Sequence, residues 1–181
     1  MIERTTPEMV NRLAENQIFV FGSNLSGIHG MGAAKTALLW GAKYGQEKGL
    51  QGRTYAIPTK DATIKRTLTI EEIKPFVDDF IEYAINHQNL TFLVTKIGCG
   101  LAGLKPKEVA PLFSKAVNVS NIHLPSGFWD ELMGNLYKKE DLVQLVQELK
   151  DYTAESHTIL GHDERDASEF VDIFIKNNKK K

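Results

Sequence analysis

Short apolar runs recur along the first two thirds of the chain, and the stretches between them carry apolar residues at helical spacing. The runs without polar alternation lie at residues 17–21, 54–59, 91–95 and 120–124. Runs of this kind are typical of strands that are covered on both faces of a sheet. The helical stretches lie at residues 32–42, 70–85 and 106–117, and residues 49–52 predict a turn. Because strands and helices alternate with short links, the pattern predicts an α/β fold with a mostly parallel (mixed) central sheet.

Two helix starts carry local signals. Thr6 followed by Pro7 is typical of a cap and a first-turn proline, and predicts a helix that runs to about residue 16. Thr69 and Glu72 have the spacing of a capping box. Pro75 then falls inside that helix, which predicts either a kink or a helix that begins one turn later.

The C-terminal region has a different pattern. Apolar stripes within residues 142–149 and 167–175 predict two helices, separated by a loop at residues 161–163. We expect a core domain over residues 1–138 and a C-terminal helical extension, residues 139–181, that packs on it.

Composition and charge limit the classes of function. The 181 residues are 42% apolar and 25% charged, and their net charge of -1 supplies no basic field for non-specific nucleic-acid binding. The single cysteine, Cys99, excludes an intrachain disulfide and a zinc site built on paired cysteines. No apolar run approaches the roughly 20 residues of a membrane span, and the N-terminus has no secretion signal. We therefore expect a cytoplasmic protein with no membrane partner, no metal and no cofactor.

Two glycine-rich loops are the main candidate for chemistry. The first loop, GSNLSGIHGMG, covers residues 22–32, and the second loop, GCGLAG, covers residues 98–103. Each follows a predicted strand, so both fall on the edge of the sheet where α/β proteins bind ligands. Each also leads into a predicted helix, whose free N–H groups favour anions. Together they favour a phosphate-containing ligand; the alternative is that both are merely tight strand-to-helix turns.

The loops resemble those of one known family. Asn24-Leu25 followed by Gly30-Met-Gly-Ala-Ala is similar to the first loop of macrodomains, and Ile97-Gly-Cys-Gly-Leu-Ala-Gly-Leu104 is similar to the second. The resemblance covers about residues 17–125. It implies a three-layer α/β/α fold that binds ADP-ribose or a close relative, with the first-loop asparagine at the distal ribose and both loops around the diphosphate.

On this basis we expect the ligand contacts to come from residues of the two loops. They are Gly22, Ser23, Asn24, Gly30, Met31, Gly32, Gly98, Cys99, Gly100, Leu101, Ala102 and Gly103. Macrodomains usually have a Gly-Asp-Ile segment before the first loop, and its acidic residue contacts adenine. This chain has no matching segment, so it departs from the family at that position.

Three residues are candidates for catalysis. The segment from Tyr55 to Lys60 is similar to a lysine pattern of macrodomains that remove ADP-ribose from proteins, although Ala102 stands where that subgroup has its acid. Lys60 and Asp61 follow a predicted strand, so both side chains could point into the cleft; the alternative is a solvated turn. His29, in the first loop, could act as a general base or bind phosphate; the alternative is a histidine bonded to backbone.

Other residues favour structural roles. Cys99 is better explained as a small residue in a crowded turn than as a nucleophile, because the sequence places no base beside it. Phe128 and Trp129 could cap the cleft, but apolar packing at the sheet edge explains them better.

Three hypotheses of function follow. The first is a module that binds ADP-ribose or a related nucleotide-diphosphate metabolite. The second is a hydrolase that removes ADP-ribosyl groups or acts on ADP-ribose phosphate. The third is a scaffold whose loops bind nothing.

Overall fold

The computed structural model describes residues 4–136, 143 and 146–147. Residues 2–132 form one compact unit, and the described residues beyond Leu132 belong to a second. Except for three positions, the predicted helical extension lies outside the described residues.

The central element is a mostly parallel sheet, as predicted. Its strands are β1 (Thr5–Thr6), β2 (Gln17–Asn24), β3 (Gly49–Gln51), β4 (Thr54–Lys60), β5 (Thr91–Val94) and β6 (Ile122–Pro125). They are ordered β1-β6-β5-β2-β4-β3 across the sheet. All neighbours are parallel except β3 and β4, which are antiparallel. The α/β class and the mixed sheet are therefore confirmed.

Helices connect the strands. They are α1 (Gly32–Ala37), which continues as a 3-10 helix (Leu38–Trp40), α2 (Ile70–Ile85), α3 (Pro106–Val109), which continues as a 3-10 helix (Ala110–Asn118), and α4 (Ser126–Leu136). The predicted helices at 32–42 and 106–117 thus exist, but each begins as a short α-helix and tightens into a 3-10 helix. No helix in the described ranges is both long and apolar enough to cross a lipid bilayer.

Helices pack on both faces of the sheet. Ala34 and Ala37 of α1 belong to a buried cluster with Phe19 and Phe21 of β2. On α2, Phe80 contacts Tyr55 of β4, with ring centroids 5.1 Å apart. Tyr55 lies beside Val20 in register, so its side chain is on the face opposite Phe19 and Phe21. The apolar runs without alternation are explained, because both faces of these strands are covered.

The capping box of α2 is confirmed. The Thr69 hydroxyl accepts from the Glu72 N–H at 3.3 Å, and the Glu72 carboxylate accepts from the Thr69 N–H at 2.8 Å. The helix begins at Ile70 and contains Pro75, so the second alternative, a helix that begins one turn later, is wrong. Pro75 is exposed and has no N–H, which leaves the Glu71 carbonyl without its intrahelical donor.

The predicted N-terminal helix is wrong. Residues 7–16 form no helix, and Thr5 and Thr6 instead pair with the last strand of the sheet, β6. The Thr6 hydroxyl donates to the His123 carbonyl at 2.9 Å and does not cap a helix. The Arg4 guanidinium donates to the Val117 carbonyl at 2.7 Å. Long-range pairing therefore overrides the local capping signal.

The turn predicted at residues 49–52 is only partly present. Gly49–Gln51 forms the antiparallel strand β3, and the turn itself lies at residues 52–53.

Candidate functional site

The two glycine loops meet in one cleft at the carboxyl ends of the strands. We call it the glycine-loop cleft; its volume is about 560 Å³. Its lining consists of Gly22, Ser23, Asn24, Ile28, Gly30, Met31, Gly32, Ala33, Ala34, Thr59, Lys60, Ile64, Thr95, Lys96, Ile97, Gly98, Gly100, Leu101 and Ala102. After β2 the chain passes to β3 and then β4 on one side of β2. After β5, which lies on the other side of β2, it continues in the opposite direction to β6. Ligands of open α/β sheets bind at such a reversal of direction.

Both loops present backbone donors that no protein acceptor uses. Within the described chain, the second-loop N–H groups of Gly98, Gly100, Leu101 and Ala102 donate to no protein group. The same holds for the N–H groups of first-loop residues 30–32. Successive free N–H groups in a concave loop form a binding site for anions.

The second loop is held in its shape by its own hydrogen bonds. The Leu104 N–H donates to the Gly98 carbonyl at 3.0 Å, and the Thr67 hydroxyl donates to the Ala102 carbonyl at 2.7 Å. Gly98 has φ +75°, and a Cβ there would lie 3.0 Å from the Leu104 side chain, so glycine is required. These contacts within the protein fix the shape of the second loop.

The charges that line the cleft are all positive. Lys60 and Lys96 belong to the lining, and among the described residues no aspartate, glutamate or histidine does. The Lys60 ammonium donates to the Ile64 carbonyl at 3.2 Å. Ile64 has φ +64°, the one positive φ outside glycine among the described residues. The arrangement favours an anion and supplies no carboxylate for acid–base catalysis.

Asn24 lies in the cleft wall, but its carboxamide is used inside the first loop. The amide nitrogen donates to the Ile28 carbonyl at 2.7 Å. The amide oxygen accepts from the Ile28 N–H at 3.0 Å and from the Ser26 hydroxyl at 2.8 Å. Asn24 is buried and shapes the loop, so the expected contact between its carboxamide and a ribose is not the role that the structure favours.

Asp61 does not line the cleft, in contrast to the expectation for a catalytic acid. Its carboxylate accepts from the Thr63 hydroxyl at 2.8 Å and from the Arg66 N–H at 3.2 Å, which closes a turn over residues 61–66. Desolvation raises the pKa of Asp61, but the hydrogen bonds from Thr63 and Arg66 outweigh it and hold the pKa below its usual value. Asp61 is therefore an ionised turn residue, and only Lys60 of the pair reaches the cleft.

His29 is also outside the cleft. Its side chain is fully buried, and neither ring nitrogen has a hydrogen-bond partner among the described residues. The ring packs edge-on against Phe21 with centroids 5.2 Å apart. Neither the catalytic role nor the alternative of a backbone hydrogen bond matches this environment.

A second cavity adjoins the cleft, and we call it the N-terminal cavity. Its volume is about 430 Å³, and it shares Ala33, Thr95, Lys96 and Gly100 with the cleft. Residues 6–11 form part of its wall. The cleft and this cavity are thus adjacent compartments of one site.

Cys99 lines the N-terminal cavity and not the cleft, whereas Gly103 lines neither. Burial raises the pKa of the Cys99 thiol, and nearby Lys96 only partly opposes this. The thiol therefore stays protonated near neutral pH, which argues against a nucleophile.

Phe128 and Trp129 are buried in α4, and the Trp129 indole donates to the Arg4 carbonyl at 2.9 Å. Apolar packing explains them, and neither lines the cleft or the N-terminal cavity.

Sequence reasoning missed several residues of the cleft. Thr59 and Thr95 are the last residues of two predicted strands, so the rule that placed the loops at the carboxyl edge could also have found them. Lys96 follows Thr95 directly and carried the same signal. No sequence signal pointed to Ile64, because it reaches the cleft through a loop conformation with positive φ, which the sequence does not predict.

Apolar side chains surround the mouth of the cleft. Ile28, Met31 and Leu101 are 43%, 67% and 64% exposed. No group of histidine, cysteine, aspartate and glutamate residues in the described ranges could hold a metal ion. No family model, curated protein or solved structure matches the chain.

Proposed function

We propose that the protein binds ADP-ribose or a related nucleotide-diphosphate metabolite in the glycine-loop cleft. One observation carries this proposal: residues of two loops whose N–H groups have no acceptor in the described chain line a cleft with two lysines and no carboxylate in its described lining. A diphosphate matches that arrangement, because it offers several acceptor oxygens and negative charge in a small volume.

The resemblance of the loops to macrodomains supports the same ligand. We infer a three-layer α/β/α macrodomain-like arrangement, with α1 on one face of the sheet and α2 on the other. In this reading Asn24 holds the first loop in its binding shape, and the loop backbone makes the ligand contacts.

Hydrolysis of ADP-ribosyl groups is the second candidate, and Lys60 is the observation that favours it. Lys60 ends β4 and lines the cleft, as a lysine nucleophile would. Neither Asp61 nor His29 lines the cleft beside it, and position 102 of the second loop is alanine. The cleft therefore supports binding better than turnover.

Calorimetry with ADP-ribose, AMP, ribose 5-phosphate and inorganic pyrophosphate tests the proposal. We expect ADP-ribose to bind best, and at 100 times its Kd to add about 2.7 kcal/mol to the free energy of unfolding. Gly100→Val should abolish this binding and keep the fold. A Cβ at Gly100 meets no atom within 4 Å and its φ is not positive, so the backbone tolerates a side chain there, and we expect that side chain to take up space at the lining of the cleft.

Gly127→Val is the matched control. A Cβ at Gly127 likewise meets nothing within 4 Å, and this glycine lies in α4, away from the lining. It should leave the affinity unchanged. Equal affinity of Gly100→Val and wild type would remove the second loop from the site, and failure of every probe to bind would favour the scaffold hypothesis.

Turnover separates the two candidates. Release of ADP-ribose from an ADP-ribosylated protein, lost in Lys60→Ala with the affinity for ADP-ribose preserved, would establish the hydrolase. A wild type that binds ADP-ribose and releases none would establish the binding module.

A further inference from the structure

An ion pair stands at the boundary between the two compartments. The Lys96 ammonium lies 2.8 Å and 3.0 Å from the two carboxylate oxygens of Glu8. Lys96 lines both the glycine-loop cleft and the N-terminal cavity, whereas Glu8 lines only the cavity. The pair thus ties residues near the N-terminus to a residue that lies two positions before the second loop.

The segment that carries Glu8 is otherwise loosely held. We call residues 8–12 the N-terminal strap. Within the described chain, Glu8 alone among them forms a hydrogen bond or ion pair. Val10 packs partly buried against the cluster that contains Phe19, while Met9 is 76% exposed. A third cavity of about 400 Å³ lies against the same segment, so the strap has open space on two sides.

The pair is also easy to replace. The side chains of Lys96 and Glu8 are 48% and 72% exposed. Exposed ion pairs are weak, because water screens them and two long side chains must be ordered. A phosphate held by the free N–H groups of the second loop would place an ordered anion close to Lys96, because this loop begins two residues after Lys96 in the chain.

We propose that Lys96 is a ligand-binding cation and that Glu8 is its internal competitor. When an anionic group occupies the cleft, Lys96 turns from Glu8 to the ligand, and the strap loses the one ion pair that it forms within the described chain. Ligand binding therefore loosens residues 8–12 at the wall of the N-terminal cavity. The inference rests on the proposed binding of a phosphate-containing ligand in the glycine-loop cleft.

Removing the competitor should strengthen binding. With ADP-ribose and inorganic pyrophosphate as separate probes at low salt, Glu8→Gln should bind about two- to fivefold more tightly than wild type, which is the range that an exposed pair supports. Glu15→Gln is the matched control, because Glu15 is exposed, lies in the same region and makes no ion pair with the described residues. It changes the net charge equally and should leave the affinity unchanged.

A double-mutant cycle isolates the pair. Lys96→Met should weaken binding, and Glu8→Gln should then bring no further gain, since the cation for which Glu8 competes is gone. The gain from Glu8→Gln should also shrink at high salt, which screens exposed charges. A gain that persists in the Lys96→Met background would overturn the inference.

Proteolysis reports on the strap itself. Trypsin cleavage after Arg12, mapped by mass spectrometry, should accelerate when ADP-ribose is added to wild type. In Glu8→Gln it should be fast without ligand, and in Glu15→Gln it should behave as in wild type. Ligand protection of this bond in wild type would contradict release of the strap.

The two proposals fail in different ways. If the wild type binds neither probe, both the proposed function and this inference fall. If the wild type binds and Glu8→Gln matches Glu15→Gln in affinity, only the inference falls, and Lys96 and Glu8 form a surface ion pair without a role in binding.

Discussion

Asn24 shows how one side chain can hold the shape of a loop through its own hydrogen bonds. Its carboxamide satisfies the N–H and the carbonyl of Ile28 and also the hydroxyl of Ser26. Together with the backbone hydrogen bonds from the Gly27 N–H to the Asn24 carbonyl and from the Leu25 N–H to the Lys60 carbonyl, the Asn24 side chain holds the shape of the first loop.

Asn24→Ala is therefore expected to destabilise the protein as well as weaken binding. The Ile28 N–H and carbonyl would lose their partner in the Asn24 carboxamide, and the loss of a hydrogen bond of this kind costs about 0.5–1.5 kcal/mol. Urea unfolding measures the loss of stability, and calorimetry with ADP-ribose measures the loss of affinity. Asn16→Ala is the control, because Asn16 is exposed and its side chain makes no hydrogen bond to the described residues. Weakened binding at unchanged stability would instead indicate a direct ribose contact.

The position of the His29 side chain could not be predicted from the sequence. A histidine between Ile28 and Gly30 in a glycine loop has the sequence signature of a functional imidazole, yet the structure buries it completely beside Phe21. Nothing in the local sequence tells which side of the loop a side chain occupies, because irregular backbone has no fixed periodicity. Lys60 was predictable for the opposite reason: it ends a strand, where the direction of the chain is known.

At the scale of elements, the sequence of α2 contains both a capping box that favours the start of a helix and a proline that disfavours its continuation. Its capping box and buried apolar stripe hold the helix together across Pro75. The capping signal at Thr69 correctly predicted the start of a helix, because α2 has an apolar face that packs against the sheet. The similar signal at Thr6-Pro7 predicted a helix that does not form, because Thr6 is paired with β6. Local signals thus identify an element only where packing agrees with them.

Pro75→Ala should stabilise the protein. Alanine restores the hydrogen bond to the Glu71 carbonyl and has a far higher helix propensity than proline. Proline is about 3 kcal/mol less favourable than alanine inside a helix, and loss of its restraint on the unfolded chain offsets about 0.4–1 kcal/mol of that difference. We therefore expect a net increase of about 2 kcal/mol in the free energy of unfolding. Urea denaturation measures it. A decrease would mean that the proline ring packs favourably in the native state.

Asp78 links α2 to the 3-10 helix Ala110–Asn118. Its carboxylate pairs with Lys74 on α2 and with Lys115 at 2.9 Å. Hydrogen bonds from Lys74 and then Lys115 lower the pKa of Asp78, and desolvation opposes them only in part.

The stabilisation by Asp78 should therefore depend on pH. A carboxyl whose pKa is lower in the folded state stabilises the fold above its unfolded pKa, and the contribution is lost as the pH falls through the folded pKa. Asp78→Asn should be less stable than wild type by about 0.5–1 kcal/mol at pH 7 and equally stable near pH 2. Urea midpoints at pH 7, 5, 3 and 2 measure the difference. A difference that does not change with pH would mean that the variant acts through packing.

At the scale of the whole molecule, the sequence predicted the sheet, and with it the position of both glycine loops at one edge of that sheet. Both glycine loops follow parallel strands, and one rule about the carboxyl edge placed them together. The N-terminal cavity was not predictable, because its wall comes from residues 6–11, which the sequence assigned to a helix. Glu8 and Lys96 are 88 residues apart, and only the folded chain brings them together.

The outermost strands have a further consequence for the whole molecule. Within the described sheet, β1 has two residues and β3 has three, and these are its two edges. An edge strand is a template on which another chain can add its own backbone, and the hazard grows with the length of unpaired backbone that it presents. Edges this short offer a foreign strand only one or two hydrogen bonds. We therefore expect the short edges of the described sheet to be poor templates for aggregation by strand addition.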